Sequence, residues 1–329
     1  TSAAQSKRLS RHIAWHLYRT AQGRCAHPKP DDQSCFGVTS VAHWQAVADV
    51  WPLAENSRFI SLDGADYHVQ VSGTGPDVLL LHGAGASSHS FAGITPLLTP
   101  HFRVIAPDLP GQGFSSLLPP ERIGLVQFSA YLNALLEQLD ASPQWIIGHS
   151  AGAALATQYA LNGAESLRGI LCINPAFNPF GSMAAPFFSL AAKWLARSHW
   201  LPRALASPSL RWRATGSMLA DTGSSIDPTM SQCYDTLLSD PDHIAGTLRM
   251  MAGWDLPPLL SRLDELQHPV WIAACEGDRT IPPSRSTSAE RYFTHCRTLL
   301  IPQLGHLGHE EAPQTFADLL QTLIASTEA

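Results

Sequence analysis

The sequence predicts an α/β protein: a mostly parallel, eight-stranded sheet flanked by helices, with a helical segment inserted late in the chain. Three observations carry this. Continuous apolar runs such as "DVLLLHG", "FRVIAPD", "QWIIGHS", "LRGILCIN" and "PVWIAACEGD" recur and break off at glycine or a polar residue, as strands buried on both faces do. Helical spacing fills the intervals, most clearly over 123–139, 151–162 and 313–325, and alternation of strands with helices builds a parallel sheet through right-handed crossovers. Between Asn174 and Pro269 the alternation stops, and only helical pieces rich in proline and tryptophan remain. That stretch is too long for a loop in a compact domain.

The remaining strands follow from local pattern. "SRFISLD" and "YHVQVSG" alternate in polarity across a "GAD" turn, a hairpin opening the sheet, and "RTLLIPQ" is a shorter last strand. The expected division is a basic N-terminal tail over 1–43, a core from 44–176 and 262–329, and a helical lid over 177–261. The tail carries Lys7, Arg8, Arg11, Arg19, Arg24 and Lys29 against Asp31 and Asp32, with Leu9, Ile13 and Leu17 four apart. Such a basic amphipathic stretch can rest on a membrane surface or a partner; a loose terminus is the plainer reading.

Bulk properties narrow the function. The 329 residues carry a formal net charge of -6, which disfavours nucleic acid as a partner. No apolar run reaches the roughly 18 residues of a membrane span, and no secretory signal is visible, so a cytoplasmic location is expected, peripheral to a membrane if the tail attaches there. The six cysteines form no C-x-x-C pair, and Cys172 and Cys275 lie inside apolar runs, where reduced core thiols are the plain reading.

Functional groups of parallel α/β sheets gather at the carboxyl ends of the strands. After "WII" comes Gly148-His149-Ser150-Ala151-Gly152, a G-x-S-x-G turn that lifts a serine onto a sharp strand-to-helix bend. Composition alone would give about one chain of this size in ten that pattern; its place between strand and helix makes it informative. A serine needs a base, and the base an orienting carboxylate. Asp278 in "GDRTIPP" and His306 in "GHLGHEEAP" follow later strands, in the order Ser, Asp, His of an α/β-hydrolase. His309 is the rival base, and Glu310 and Glu311 read as acids near the next helix N-terminus.

"LLLHGAGAS" places Ala84 just past His82 and Gly83, where its backbone N–H can face the site beside that of Ala151. His82, Gly83 and His149 are therefore expected to border the substrate. Phosphate loops and dinucleotide fingerprints are absent, as is H-E-x-x-H, so no cofactor and no metal are expected. All five methionines and Trp194, Trp200, Trp212 and Trp254 fall in the insert; Met250, Met251 and Trp254 are candidates to line a pocket for a large, flat or apolar ligand, the plainer reading being a core for the lid itself.

"LLLHGAGASSHSF", "VIAPDLPGQGFSS", "GHSAGAALA", "GDRTIPP" and "GHLGHEEAP" together resemble the α/β-hydrolase superfamily from about Ser57 onward. "WPLAENSRFI", "TGSMLADTG" and "HIAGTLRMMAGWDL" are more narrowly similar to the magnesium chelatase accessory proteins of bacteriochlorophyll biosynthesis. The resemblance implies a small-molecule substrate, a porphyrin ester or intermediate, and contact with magnesium chelatase. Three functions stay open: a serine hydrolase in tetrapyrrole metabolism, a non-catalytic porphyrin-binding or chelatase accessory protein, and a general lidded esterase, C–C bond hydrolase or cofactor-free perhydrolase. Ser150 at the elbow disfavours dehalogenase and epoxide hydrolase chemistry, which uses aspartate there.

Overall fold

Each of the eight expected stretches forms a strand: β1 (Ser57–Leu62), β2 (Ala65–Ser72), β3 (Asp77–Leu81), β4 (Arg103–Pro107), β5 (Trp145–His149), β6 (Gly169–Ile173), β7 (Val270–Cys275) and β8 (Cys296–Ile301). The computed structural model describes residues 38–177, 198 and 200–328. The strands join one sheet in the order β1-β2-β4-β3-β5-β6-β7-β8. β1 and β2 pair antiparallel, as do β2 and β4, and the rest are parallel. Burial explains the two sequence patterns. β3, β5, β6 and β7 are buried at every position, whereas the edge strands β1 and β8 alternate toward solvent.

Alternate residues of each strand feed two cores, one on each face. Leu79, Leu81, Ile146, Ile170 and Ile272 pack with Leu132 and Leu135 of helix α2 (Leu125–Gln138) and Ala154 and Leu155 of α3 (Ala151–Leu161). Val78, Leu80, Ile147, Leu171 and Ala273 pack with Phe91, Leu98 and with Phe316 and Leu320 of the last helix, Pro313–Glu328. Each fully buried leucine or isoleucine contributes roughly 1.5–3 kcal/mol relative to exposure. The alanines of α3 let it sink until Ala151 through Ala160 are all buried.

The first helix among the described residues, α1 (Val38–Val47), crosses the boundary expected at residue 44. Its Trp44 packs against Phe59, His68 and Phe114, so apolar contact carries the core somewhat further toward the N-terminus than composition suggests. The basic stretch with Leu9, Ile13 and Leu17 lies outside the described residues. Between β6 and β7 the described residues form helices: Trp200–Leu205, α4 (Pro208–Asp221), α5 (Pro228–Leu237), α6 (Pro241–Gly253) and Pro257–Leu260. Cys172, Cys233, Cys275 and Cys296 are free thiols, and burial pushes those of Cys233, Cys275 and Cys296 up to about 12. They act as small apolar residues. No helix among the described residues is long and apolar enough to cross a membrane.

Candidate active site

Ser150 sits at φ 51°, ψ −114° between β5 and α3, a backbone region costly for any residue with a side chain. The bend is fixed by its neighbours. The Ser150 N–H donates to the Ile173 carbonyl at 3.0 Å, and its own carbonyl accepts from Ala153 and Ala176. The two flanking glycines are steric necessities: a Cβ on Gly148 would lie 2.6 Å from Ala153 Cα, and one on Gly152 would lie 2.1 Å from the Leu81 carbonyl oxygen. The elbow therefore exists because β5, β3 and α3 meet closer than a methyl group allows.

Asp278 follows β7, with its carboxylate held on both oxygens. Oδ1 accepts from the Thr280 and Ile281 N–H groups at 2.8 Å each, and Oδ2 accepts from His306 Nδ1 at 2.7 Å. Both side chains are buried, at 0% and 8% exposure, so the pair acts in a medium that strengthens it. A proton on Nδ1 leaves Nε2 as the accepting nitrogen of His306. The ring lies 4.7 Å from that of His149, the residue before Ser150. Among the described residues Ser150 Oγ makes no hydrogen bond; such contacts often tighten only once substrate is bound.

The His306 loop is pinned by residues that sequence reading passed over. Asn174, at the end of β6 with φ 45°, donates from Nδ2 to the carbonyls of Gly305 and His306 and accepts the Cys275 N–H on Oδ1. It staples β6 and β7 to the loop. The segment after α4 adds the Thr222 carbonyl, which accepts the His306 N–H at 3.0 Å, and Ser224 Oγ, which accepts that of Leu307 at 2.9 Å. Glu311, an acid in the first turn of the short helix Gly308–Glu311, also accepts from the Gly305 and Ser225 N–H groups and so staples the loop.

The turn that carries Ala84 lies against the elbow. A Cβ on Gly83 would stand 3.1 Å from Ser150 Cβ and 2.9 Å from His149 Nδ1, so the backbone before Ala84 passes directly over the serine. Neither Ala84 nor Ala151 donates its N–H to a partner among the described residues. The flanking histidines do different work from the bordering role expected of them. His82 is fully buried, with Nδ1 on the Gly83 carbonyl and Nε2 accepting the Leu109 N–H. His149 is buried with Nε2 on the His306 carbonyl. Burial holds the pKa of both below the usual value, His149 well below, where the nearby His309 and His306 depress it further.

His309 and Glu310 form a separate buried layer. His309 Nε2 meets Ser90 Oγ at 2.8 Å, and burial drives its pKa down to about 3; it has no contact with Asp278. Glu310 accepts from Ser90 Oγ and from the Tyr234 hydroxyl of α5, each at 2.6 Å. Burial outweighs those two bonds and pushes its carboxyl up to about 7.

The sequence profile of the alpha/beta hydrolase family matches residues 78–319, which take in the elbow, Asp278 and His306. The chain belongs to the alpha/beta hydrolase family. Among curated relatives it is 36% identical over 272 residues to the magnesium-chelatase 30 kDa subunit of Rhodobacter capsulatus, covering 82% of this chain and 95% of that one. It is 23% identical to 2-hydroxy-6-oxo-6-phenylhexa-2,4-dienoate hydrolase of Burkholderia cepacia, covering 79% and 91%. Among solved structures, a thermophilic esterase from Thermogutta terrifontis superposes with a TM-score of 0.64 at 21% identity, covering 83% of this chain and 99% of that one.

Within this hydrolase fold the three insert residues singled out from sequence part company. Met250 is 1% exposed and belongs to the core. Met251 is 50% exposed. Trp254 packs edge-on against Phe128 of α2. Met183 and Trp194 lie outside the described residues, as does the side chain of Trp212. A second side-chain amide pins backbone: Gln112, between Gly111 and Gly113 in "PDLPGQGFSS", accepts the Gly85 N–H at 2.6 Å. Its only signal in the sequence is a polar residue fenced by glycines close to a strand end.

Proposed function

We propose that this chain is a serine hydrolase acting on an ester or related carbonyl of a large apolar substrate. The observation that carries the reading is the buried His306–Asp278 bond of 2.7 Å, with the His306 ring 4.7 Å from that of His149, the residue before a serine held at φ 51°. In this reading Ser150 Oγ attacks the carbonyl carbon while His306 Nε2 takes its proton. Asp278 keeps the imidazole in the right tautomer and stabilises the imidazolium. The N–H groups of Ala84 and Ala151 receive the oxyanion. His306 then gives its proton to the leaving group, and water cleaves the acyl-enzyme by the same relay in reverse. Burial keeps His149 and His309 neutral, so no fixed positive charge opposes the charge that forms on His306.

The insert serves as a lid over the strand ends, with the segment 222–225 and Tyr234 binding it to the His306 loop. The similarity to the magnesium-chelatase 30 kDa subunit supports a porphyrin ester or intermediate as substrate and contact with magnesium chelatase. The same similarity favours a second reading, in which the fold holds a porphyrin without turning it over. A fluorophosphonate probe separates the two. Wild type should label, Ser150→Ala should not, and protoporphyrin should compete. Equal labelling of both proteins would remove Ser150 as the nucleophile, and absence of label from both would leave the binding reading.

A further inference from the structure

Ala84 lies between two peptide planes, each held from outside. The Gly83 carbonyl accepts from the Ala86 N–H at 3.2 Å and from His82 Nδ1 at 2.8 Å. In a trans peptide the N–H points opposite to the carbonyl, so these bonds turn the Ala84 N–H to the other side. The following plane is held by a side chain: the Gly85 N–H donates to Gln112 Oε1 at 2.6 Å. Gly85 has φ +81°, and glycine crosses between conformations at little steric cost. Gln112 restrains it through that bond.

Gln112 is fully buried, and its Nε2 donates to Met250 Sδ on α6 at 2.8 Å. That helix presses on the same turn along one face. His243 Nδ1 accepts the Gly113 N–H at 2.9 Å. At Gly246 a Cβ would stand 1.8 Å from the Gly111 carbonyl oxygen, so helix and turn meet backbone to backbone. Arg249 Nη1 donates to the Leu118 carbonyl at 2.8 Å. Residues 243, 246 and 250 follow the three-and-four spacing of a single helix face. On the Gly85 side, Thr247 Cγ2 lies 3.6 Å from where a Gly85 Cβ would be. The insert is thus fastened to the loop that carries Ala84, and Gln112 spans the join.

We propose that Gln112 is a positioning residue for the oxyanion hole. By accepting the Gly85 N–H and resting its amide on Met250, it sets the direction of the Ala84 N–H according to how α6 is docked. The inference rests on the serine-hydrolase reading, and its test has one arm that does not. Full-length wild type, Gln112→Met and Gln112→Glu are compared in p-nitrophenyl butyrate hydrolysis and in amide hydrogen exchange over 83–90. Gln112→Met keeps the volume and loses the acceptor. Its kcat should fall about 10- to 100-fold with KM within about threefold, since a small misplacement of a transition-state donor costs that much, and exchange at 84–86 should quicken. Gln112→Glu, entering as a neutral buried acid, keeps an oxygen at Gly85 and should restore slow exchange and most of kcat. Unchanged kcat and exchange in Gln112→Met overturns the proposal. If wild type does not cleave the ester, the hydrolase reading fails while exchange still decides whether Gln112 holds the loop. If Gln112→Met does not fold, Met250→Leu removes the amide's partner at nearly constant volume; a smaller shift in both readouts supports the coupling, and no shift overturns it.

Discussion

Asp278 shows how much of a side chain's behaviour is set by its backbone neighbours: two N–H groups and one imidazole take both oxygens, so the carboxylate has one orientation. Removing Ser150 or His306 should each cost on the order of 10⁶ in turnover, with no further loss in the double variant, because the proposed mechanism uses the two as one unit. Asp278→Asn should cost about 10⁴ by favouring the wrong tautomer. Steady-state kinetics on an activated ester checks all three, and full activity in His306→Ala would return the role of base to another group. Glu310 supplies a pH dependence of stability. Its carboxyl is raised from 4.5 to about 7, so between those values the folded protein holds a proton that the unfolded chain has released. The stabilisation is complete below about pH 4.5 and lost as pH rises through about 7, on the order of 3 kcal/mol in all. Groups facing it are Ser90, Tyr234, His309 and Glu311. Urea unfolding across that range should show the fall in wild type and not in Glu310→Gln; equal slopes would mean that Glu310 is not the group responsible.

At the scale of elements, strands and insert were unequally legible in the sequence. A strand buried on both faces writes itself as an unbroken apolar run and an edge strand as an alternating one, and all eight expected stretches became strands with ends within about three residues of the pattern. The glycines at 148 and 152 and the polar residues at 150, 278 and 306 stood at those ends, where sheet geometry collects them. Helix α6 was harder. Adjacent residues on a helix point about 100° apart, so Met250 and Met251 cannot both face inward, yet composition offers them as equals. Asn174 and Gln112 were hidden for another reason: they act through hydrogen bonds to backbone more than 20 residues away, and no local pattern records such partners. The α6 assignment gives a direct contrast. Met250→Ala empties a buried volume and should cost about 2–5 kcal/mol, whereas Met251→Ala, at half exposure, should stay within about 0.5 kcal/mol. Chemical denaturation of the two variants checks the helix face; equal losses would mean that α6 is turned otherwise.

At the scale of the whole molecule, a single hydroxyl stands apart from everything that holds the fold. The insert reaches the core through Tyr234–Glu310, Ser224–Leu307, Thr222–His306 and Gln112–Met250, and none of these contacts involves the Ser150 side chain. The elbow bend is held by the backbone of residue 150 and the two glycines. Ser150→Ala should therefore fold with wild-type stability, with its lid, its surface and any porphyrin or chelatase contact intact. This makes the variant a clean division between chemistry and holding. In a bacteriochlorophyll-producing strain lacking its own copy of this protein, the proposed hydrolase function requires that wild type restore pigment and Ser150→Ala not, because that hydroxyl is the one thing removed. Gly246→Ala should fail differently: its methyl would meet the Gly111 carbonyl at 1.8 Å, lifting α6 and disturbing binding and turnover together. Pigment at wild-type level from Ser150→Ala, alongside loss from Gly246→Ala, would assign the biological role to the docked insert and remove the hydroxyl from it.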